Sequence, residues 1–281
     1  MTRWIALTVV LTSATAHAFP DDASYRPLRC HGGVMTDLLA DQPPALGERD
    51  VIGDSDAPAG LRAADAQFLY LRLRVDRDPA PLGAVRPYAW GMAFDLDGDR
   101  TTYELLITAD GIATPDGTVT VFTNHTTTIA NSLADPADLP EAASFAFSDA
   151  GRAIAAGSTI GNDADFFVDL AVPWTTLAPL GLDRDTPTYV WAGSSTVRNA
   201  LDGDLACHDG RGGAARLDAI ASDPTTGDPT RDPGTGPGGG GNNLRLEGGG
   251  GCHAGGPVAL GPLLALLGLR RRRRAGHATV R

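Results

Sequence analysis

The sequence predicts an all-β protein, an antiparallel β-sandwich with a short helical turn, and three observations predict it. Apolar side chains recur with period two in several short runs. Those runs are separated by loops rich in Gly, Pro, Asp and Thr. No long stretch carries the three-to-four residue apolar spacing of an amphipathic helix.

Phe68–Val75 is the clearest strand. Leu69, Leu71, Leu73 and Val75 alternate with Phe68, Tyr70, Arg72 and Arg74, so one face is aliphatic and half-buried. Tyr88–Asp95 repeats the pattern, with Tyr88, Trp90, Met92 and Phe94 set against Ala89, Gly91, Ala93 and Asp95. Asp97-Gly98 is a favoured hairpin pair, and Thr101–Thr108 is expected to return as the partner strand. Thr118–Thr123, Ala143–Phe147, Arg152–Ala156, Asp165–Val172 and Thr188–Thr196 complete the eight candidates. Pro173 ends the seventh, and Trp174–Leu180 leaves room for one helical turn.

The ends read differently from the middle. Residues 1–18 have the layout of a secretory signal peptide: Arg3, an apolar run from Trp4 to Leu11, and the small-x-small site Ala16-His17-Ala18. The folded domain is placed at 19–221. Residues 222–251, dominated by Gly, Pro, Thr and Asp, are expected to be a flexible linker. The tail, 252–281, begins at Cys252, continues with the apolar run Pro257–Leu269 and then carries an arginine cluster from Arg270 to Arg274. That run falls short of the ~20 residues that span a bilayer. Its basic end orients it with arginines inside and the folded domain outside.

Charge narrows the partners. The chain has 34 acidic and 23 basic residues, a net of −11. Seven of the arginines and no acidic residue lie in the leader and tail, so the rest of the chain is more acidic still. Such a surface repels phosphate backbones and attracts divalent cations, which argues against nucleic acid. No lysine occurs, excluding Schiff-base chemistry. Gly193-Ser194-Ser195 is not a nucleophile elbow, and no zincin or P-loop motif appears.

Three strings carry a resemblance. Phe68–Val75, Trp90–Asp99 (tryptophan, strand, Asp-rich turn) and Phe166–Trp174 (ending Val-Pro-Trp) resemble, in order and spacing, carbohydrate-binding modules similar to family nine and related DOMON-like sandwiches. The resemblance spans roughly residues 50–200. It implies a sandwich of about eight to eleven strands that serves as a binding module. Gly248–Arg274 resembles the C-terminal sorting tails of myxobacterial and related surface proteins. That resemblance implies processing near Cys252 by a tail-cleaving protease and retention at the cell surface. A plain membrane anchor is the other reading of the same tail.

Candidate site residues follow from side-chain chemistry. Asp95, Asp97 and Asp99 alternate around Gly98, with Glu104 beyond, and a tight acidic turn can gather the oxygens that calcium needs. The same residues also serve ordinary turns. Asp54 and Asp56, or Asp163, Asp165 and Asp169, are weaker sets of the same kind. Phe68, Tyr70, Arg72 and Arg74 share a strand face whose rings and guanidinium forks suit sugars or acidic glycans. Alternatively a neighbouring segment covers that face and the arginines pair with aspartates. Trp191 is either core or ligand platform. Cys30 and Cys207 are expected to form a disulfide, as an exported compartment favours. Zinc held by these cysteines with His31 and His208 is disfavoured, because adjacent side chains on an extended chain point apart.

The functional expectation is a secreted, surface-retained, non-enzymatic binding module, with carbohydrate the first ligand class. The alternatives are a structural or adhesive envelope protein that uses acidic groups and calcium, and a glycan-active hydrolase built on a carboxylate pair. Calcium is the one cofactor considered. Partners are a glycan or envelope component and the tail-processing protease, with membrane contact only through the tail.

Overall fold

Alternating apolar residues favour strands because successive side chains point to opposite faces, so one continuous apolar face can leave water. In the computed structural model, residues 18–41, 47–208 and 215–232 are described. The chain opens with β1 (Arg26–Pro27), β2 (Arg29–Cys30), β3 (Gly33–Val34), β4 (Gly60–Ala64) and β5 (Phe68–Val75). Next come β6 (Ala89–Asp95), β7 (Leu105–Asp110), β8 (Thr118–Thr123), β9 (Ala143–Ala146), the turn of helix α1 (Phe147–Ala150) and β10 (Gly151–Ala155). It closes with β11 (Phe166–Pro173), α2 (Trp174–Leu177), β12 (Pro187–Ser195), β13 (Asp204–Leu205), α3 (Leu217–Ile220) and β14 (Thr225–Thr226).

The protein is mostly β, with antiparallel sheets and few short helices. One sheet has the order β1-β4-β5-β11-β10; the other runs β13-β12-β6-β7-β8-β9, with β14 on β12. One hydrophobic cluster draws on both. Leu69, Leu71, Leu73 and Val75 of β5 and Val168, Leu170 and Val172 of β11 join it from the first sheet. Trp90, Met92 and Phe94 of β6, Ile107 of β7 and Val121 of β8 join it from the second. Each such side chain contributes about 1.5–3 kcal/mol on full burial.

The face of each sheet that does not contribute to this cluster is also covered. On the second sheet, Ala93, Leu106, Phe122 and Trp191 pack with Tyr103, Leu133 and the segment Ala215–Ala221. Every residue of β6 is therefore buried. On the first sheet, Tyr70 and Ala171 pack with Tyr25, Ala63 and Phe19.

Four differences from the sequence reading have physical causes. β7 starts at Leu105 rather than Thr101, and no tight hairpin joins it to β6. Asp95 and Asp99 each accept hydrogen bonds from backbone amides two or three residues on, and these successive turns use up the residues between the strands. Phe147 leaves β9 to begin α1, burying its ring. The expected helical turn at Trp174–Leu180 is split into α2 and the 3-10 turn Ala178–Leu180.

The packed chain also runs past the expected boundary at 221. Ser222 Oγ accepts from Val190 N at 2.8 Å, Asp228 is fully buried against Arg184, and Asp232 pairs with Arg62. Residues 1–17, the remainder of the expected linker and the whole tail with Cys252 lie outside the described residues. Among the described residues no helix is long and apolar enough to cross a membrane.

Candidate functional site

Cross-strand register brings opposite charges into one row on the face of the first sheet that bears Tyr70. Arg72 of β5 and Arg152 of β10 lie on either side of Asp169 of β11. Asp169 accepts from Arg72 Nε at 2.7 Å and Nη2 at 2.9 Å, and from Arg152 Nε at 2.7 Å. Arg72 also donates to Asp22 at 2.7 Å and is sandwiched between the rings of Tyr25 and Phe167, 3.7 Å and 4.3 Å from its guanidinium carbon. Arg74 reaches Ser158, the Pro58 carbonyl and Asp165.

The N-terminal segment thus covers the face that the sequence offered for ligand. Tyr70, Arg72 and Arg74 are buried, and only Phe68 is half-exposed. Tyr70 OH donates to Asp65. Trp191 is buried in the opposite sheet and donates to the Leu217 carbonyl at 3.0 Å. These residues serve packing in this conformation. Cys30 and Cys207 form a disulfide, their Cα atoms 6.3 Å apart across 177 positions.

The acidic turn after β6 has a different character. Asp95 ends that strand opposite Tyr189 of β12. Its Oδ1 accepts from Asp97 N at 3.0 Å and Gly98 N at 2.6 Å. Gly98 makes this possible with a φ of 88°, a left-handed conformation that costs glycine little. The other oxygen, Oδ2, is buried and accepts no hydrogen bond, in a residue with no solvent exposure.

Carboxylate oxygens of Asp95, Asp97 and Glu104 lie within 4.8 Å of one another. Oxygens around one calcium ion, each ~2.4 Å from it, sit within that span. Asp99 is not in the group: its Oδ1 is taken by the amide and hydroxyl of Thr101. Glu104 comes instead, steered by the Leu96 amide, which donates to its Oε2 at 2.7 Å. Burial, then the charge of Asp97, raises the Asp95 pKa, and burial with both aspartate charges does the same to Glu104. A divalent cation would relieve both costs.

This turn opens on a cavity of about 280 Å³ lined by Asp95, Asp97, Gly98, Pro187, Tyr189 and Pro224, among others. Arg100 lies 5.4 Å from the centre of the Tyr189 ring. The arrangement offers a cation-binding corner beside apolar walls. Tyr189 and Pro224 went unnoticed in the sequence, since only strand pairing and the final packed segment bring them to the turn.

The weaker acidic sets do not converge. Asp54 caps its own turn, Asp163 meets Arg77, Asp165 accepts from Ile160 N, and Asp169 is held by arginines. No protein-family model, curated protein or solved structure matches the chain.

Proposed function

We propose that the protein is an exported, surface-retained, non-enzymatic binding module. A divalent cation, calcium by its all-oxygen donor set, would sit on Asp95, Asp97 and Glu104. The preferred ligand is a glycan: two hydroxyls, or a carboxylate, complete the cation's shell while a sugar face rests on Tyr189 and the prolines. The observation that carries this reading is the Asp95 carboxylate, whose Oδ2 is buried without a hydrogen bond and which lies beside the carboxylates of Asp97 and Glu104 at a cleft.

The stacking of the two sheets as a sandwich belongs to the same reading, supported by the hydrophobic cluster they share. Export and surface retention rest on the leader and the tail as read from sequence. A non-enzymatic role is favoured by the burial of Ser194 and Ser195, whose hydroxyls donate to the Arg49 carbonyl and to Asp202.

A glycan array probed with the full exported protein, with calcium and then with chelator, tests the proposal. Binding to a restricted set of glycans that chelator and Asp97→Asn both abolish is the expected result. Glycan binding indifferent to calcium would move the ligand elsewhere. Calcium-dependent self-association without glycan hits would favour the adhesive role instead.

A further inference from the structure

A second group of carboxylates gathers where distant stretches of chain meet. Asp204 lies on β13, opposite Ser194 of β12. Asp37 forms an isolated bridge with Gly53, and Val51 bridges Val75 of β5. Val51 N donates to Asp204 Oδ2 at 2.6 Å, and Ala40 N donates to Asp50 Oδ2 at 2.8 Å. The disulfide pins the same region: Cys207 N donates to the Thr36 carbonyl at 2.8 Å.

The pairing leaves specific atoms without partners. Neither carboxylate oxygen of Asp37, nor Oδ1 of Asp204, has a hydrogen bond of good geometry, and the Leu38 amide gives Asp37 only a weak backbone contact. Asp37 and Asp204 are 4% and 0% exposed. Carboxylate oxygens of Asp37, Asp41 and Asp204 lie within 4.8 Å of one another. Among the described residues no arginine forms an ion pair with Asp37 or Asp204. A buried carboxylate without a partner is costly, and several facing one another cost more. Among the described residues no arginine neutralises Asp37 or Asp204, which leaves protons or a cation to do so.

We infer that Asp37, Asp41 and Asp204 form a second divalent-cation site, a clasp that ties the segment around Asp37 to edge strand β13. The oxygen-only donor set and the span of the oxygens fit calcium. The clasp shares no residue with the cleft, so it stands or falls independently of the proposed ligand-binding role.

Calorimetric titration of calcium into the metal-stripped full chain tests it, with Asp95→Asn, Asp37→Asn and Asp204→Asn run alongside and their folding checked by circular dichroism. Asp95→Asn is expected to keep one calcium ion per chain, and adding Asp37→Asn to remove that ion. Should the Asp37 and Asp204 variants not fold, the titration of Asp95→Asn alone decides between one ion and none. Loss of all calcium binding in folded Asp95→Asn would overturn the clasp. So would an unchanged stoichiometry in folded Asp37→Asn, which would mean that shared protons hold the group together. If Asp95→Asn changes nothing and Asp37→Asn removes calcium, the clasp holds and the calcium cleft fails.

Discussion

Removing Asp169 should break the buried ionic row that joins β5, β11 and β10. Asp169 has no solvent exposure and takes three hydrogen bonds from two arginines. Asp169→Ala leaves Arg72, 1% exposed, with only the largely exposed Asp22 as counter-ion. Breaking a buried pair from one side costs about 3–5 kcal/mol. For a domain of this size that is a fall of about 6–20 °C in Tm, and a large share of a typical stability of about 5–15 kcal/mol. Arg152 is at the rim, 30% exposed, so Arg152→Ala should cost only about 1 kcal/mol or less. Replacing the pair by apolar residues, Arg72→Met with Asp169→Leu, should recover most of the loss, because the charges then left unpaired, Arg152 and Asp22, both reach solvent. Urea unfolding of the protein and its variants measures all three. A loss below about 1 kcal/mol for Asp169→Ala, or a double variant no better than the single, would refute the reasoning.

Three further outcomes are expected. Gly91→Ala would set a Cβ 2.0 Å from the Ile107 carbonyl oxygen of the neighbouring strand, so it should cost more than about 3 kcal/mol in the same urea assay. Cys30→Ser with Cys207→Ser opens the loop of 177 positions and should lower stability by up to about 5 kcal/mol; equal melting of oxidised and reduced wild type would contradict this. For Asp135, burial acts to raise the pKa, but hydrogen bonds from Asn124, Thr128 and Ile129 outweigh it and hold the carboxyl below its ordinary value. Its stabilisation is therefore present above the unfolded-state pKa of about 3.9 and lost as pH falls through the lower folded value. Asp135→Asn should be less stable than wild type at neutral pH, with the gap narrowing below about pH 4, and a gap constant down to pH 2 would count against it.

Strands whose alternation is local were legible along the chain. β5 and β8 have the bounds their patterns predict, and β11 and β12 differ by a residue or so, because period two records which face loses water. The sequence also marked the acidic turn and the cysteine pair. Tertiary structure decided what covers the other face of each strand. Arg72 and Asp169 are 97 positions apart, and Trp191 meets a carbonyl from α3; a ring or guanidinium bound for a covered face has the same local pattern as one left in solvent. The same holds for the carboxylate groups. Glu104 replaces Asp99 because the backbone turns Asp99 toward Thr101, and Asp37 meets Asp204 only through strand pairing and a disulfide. Spacing along the chain sets which turn forms, whereas convergence of charges in space depends on contacts between residues far apart in sequence.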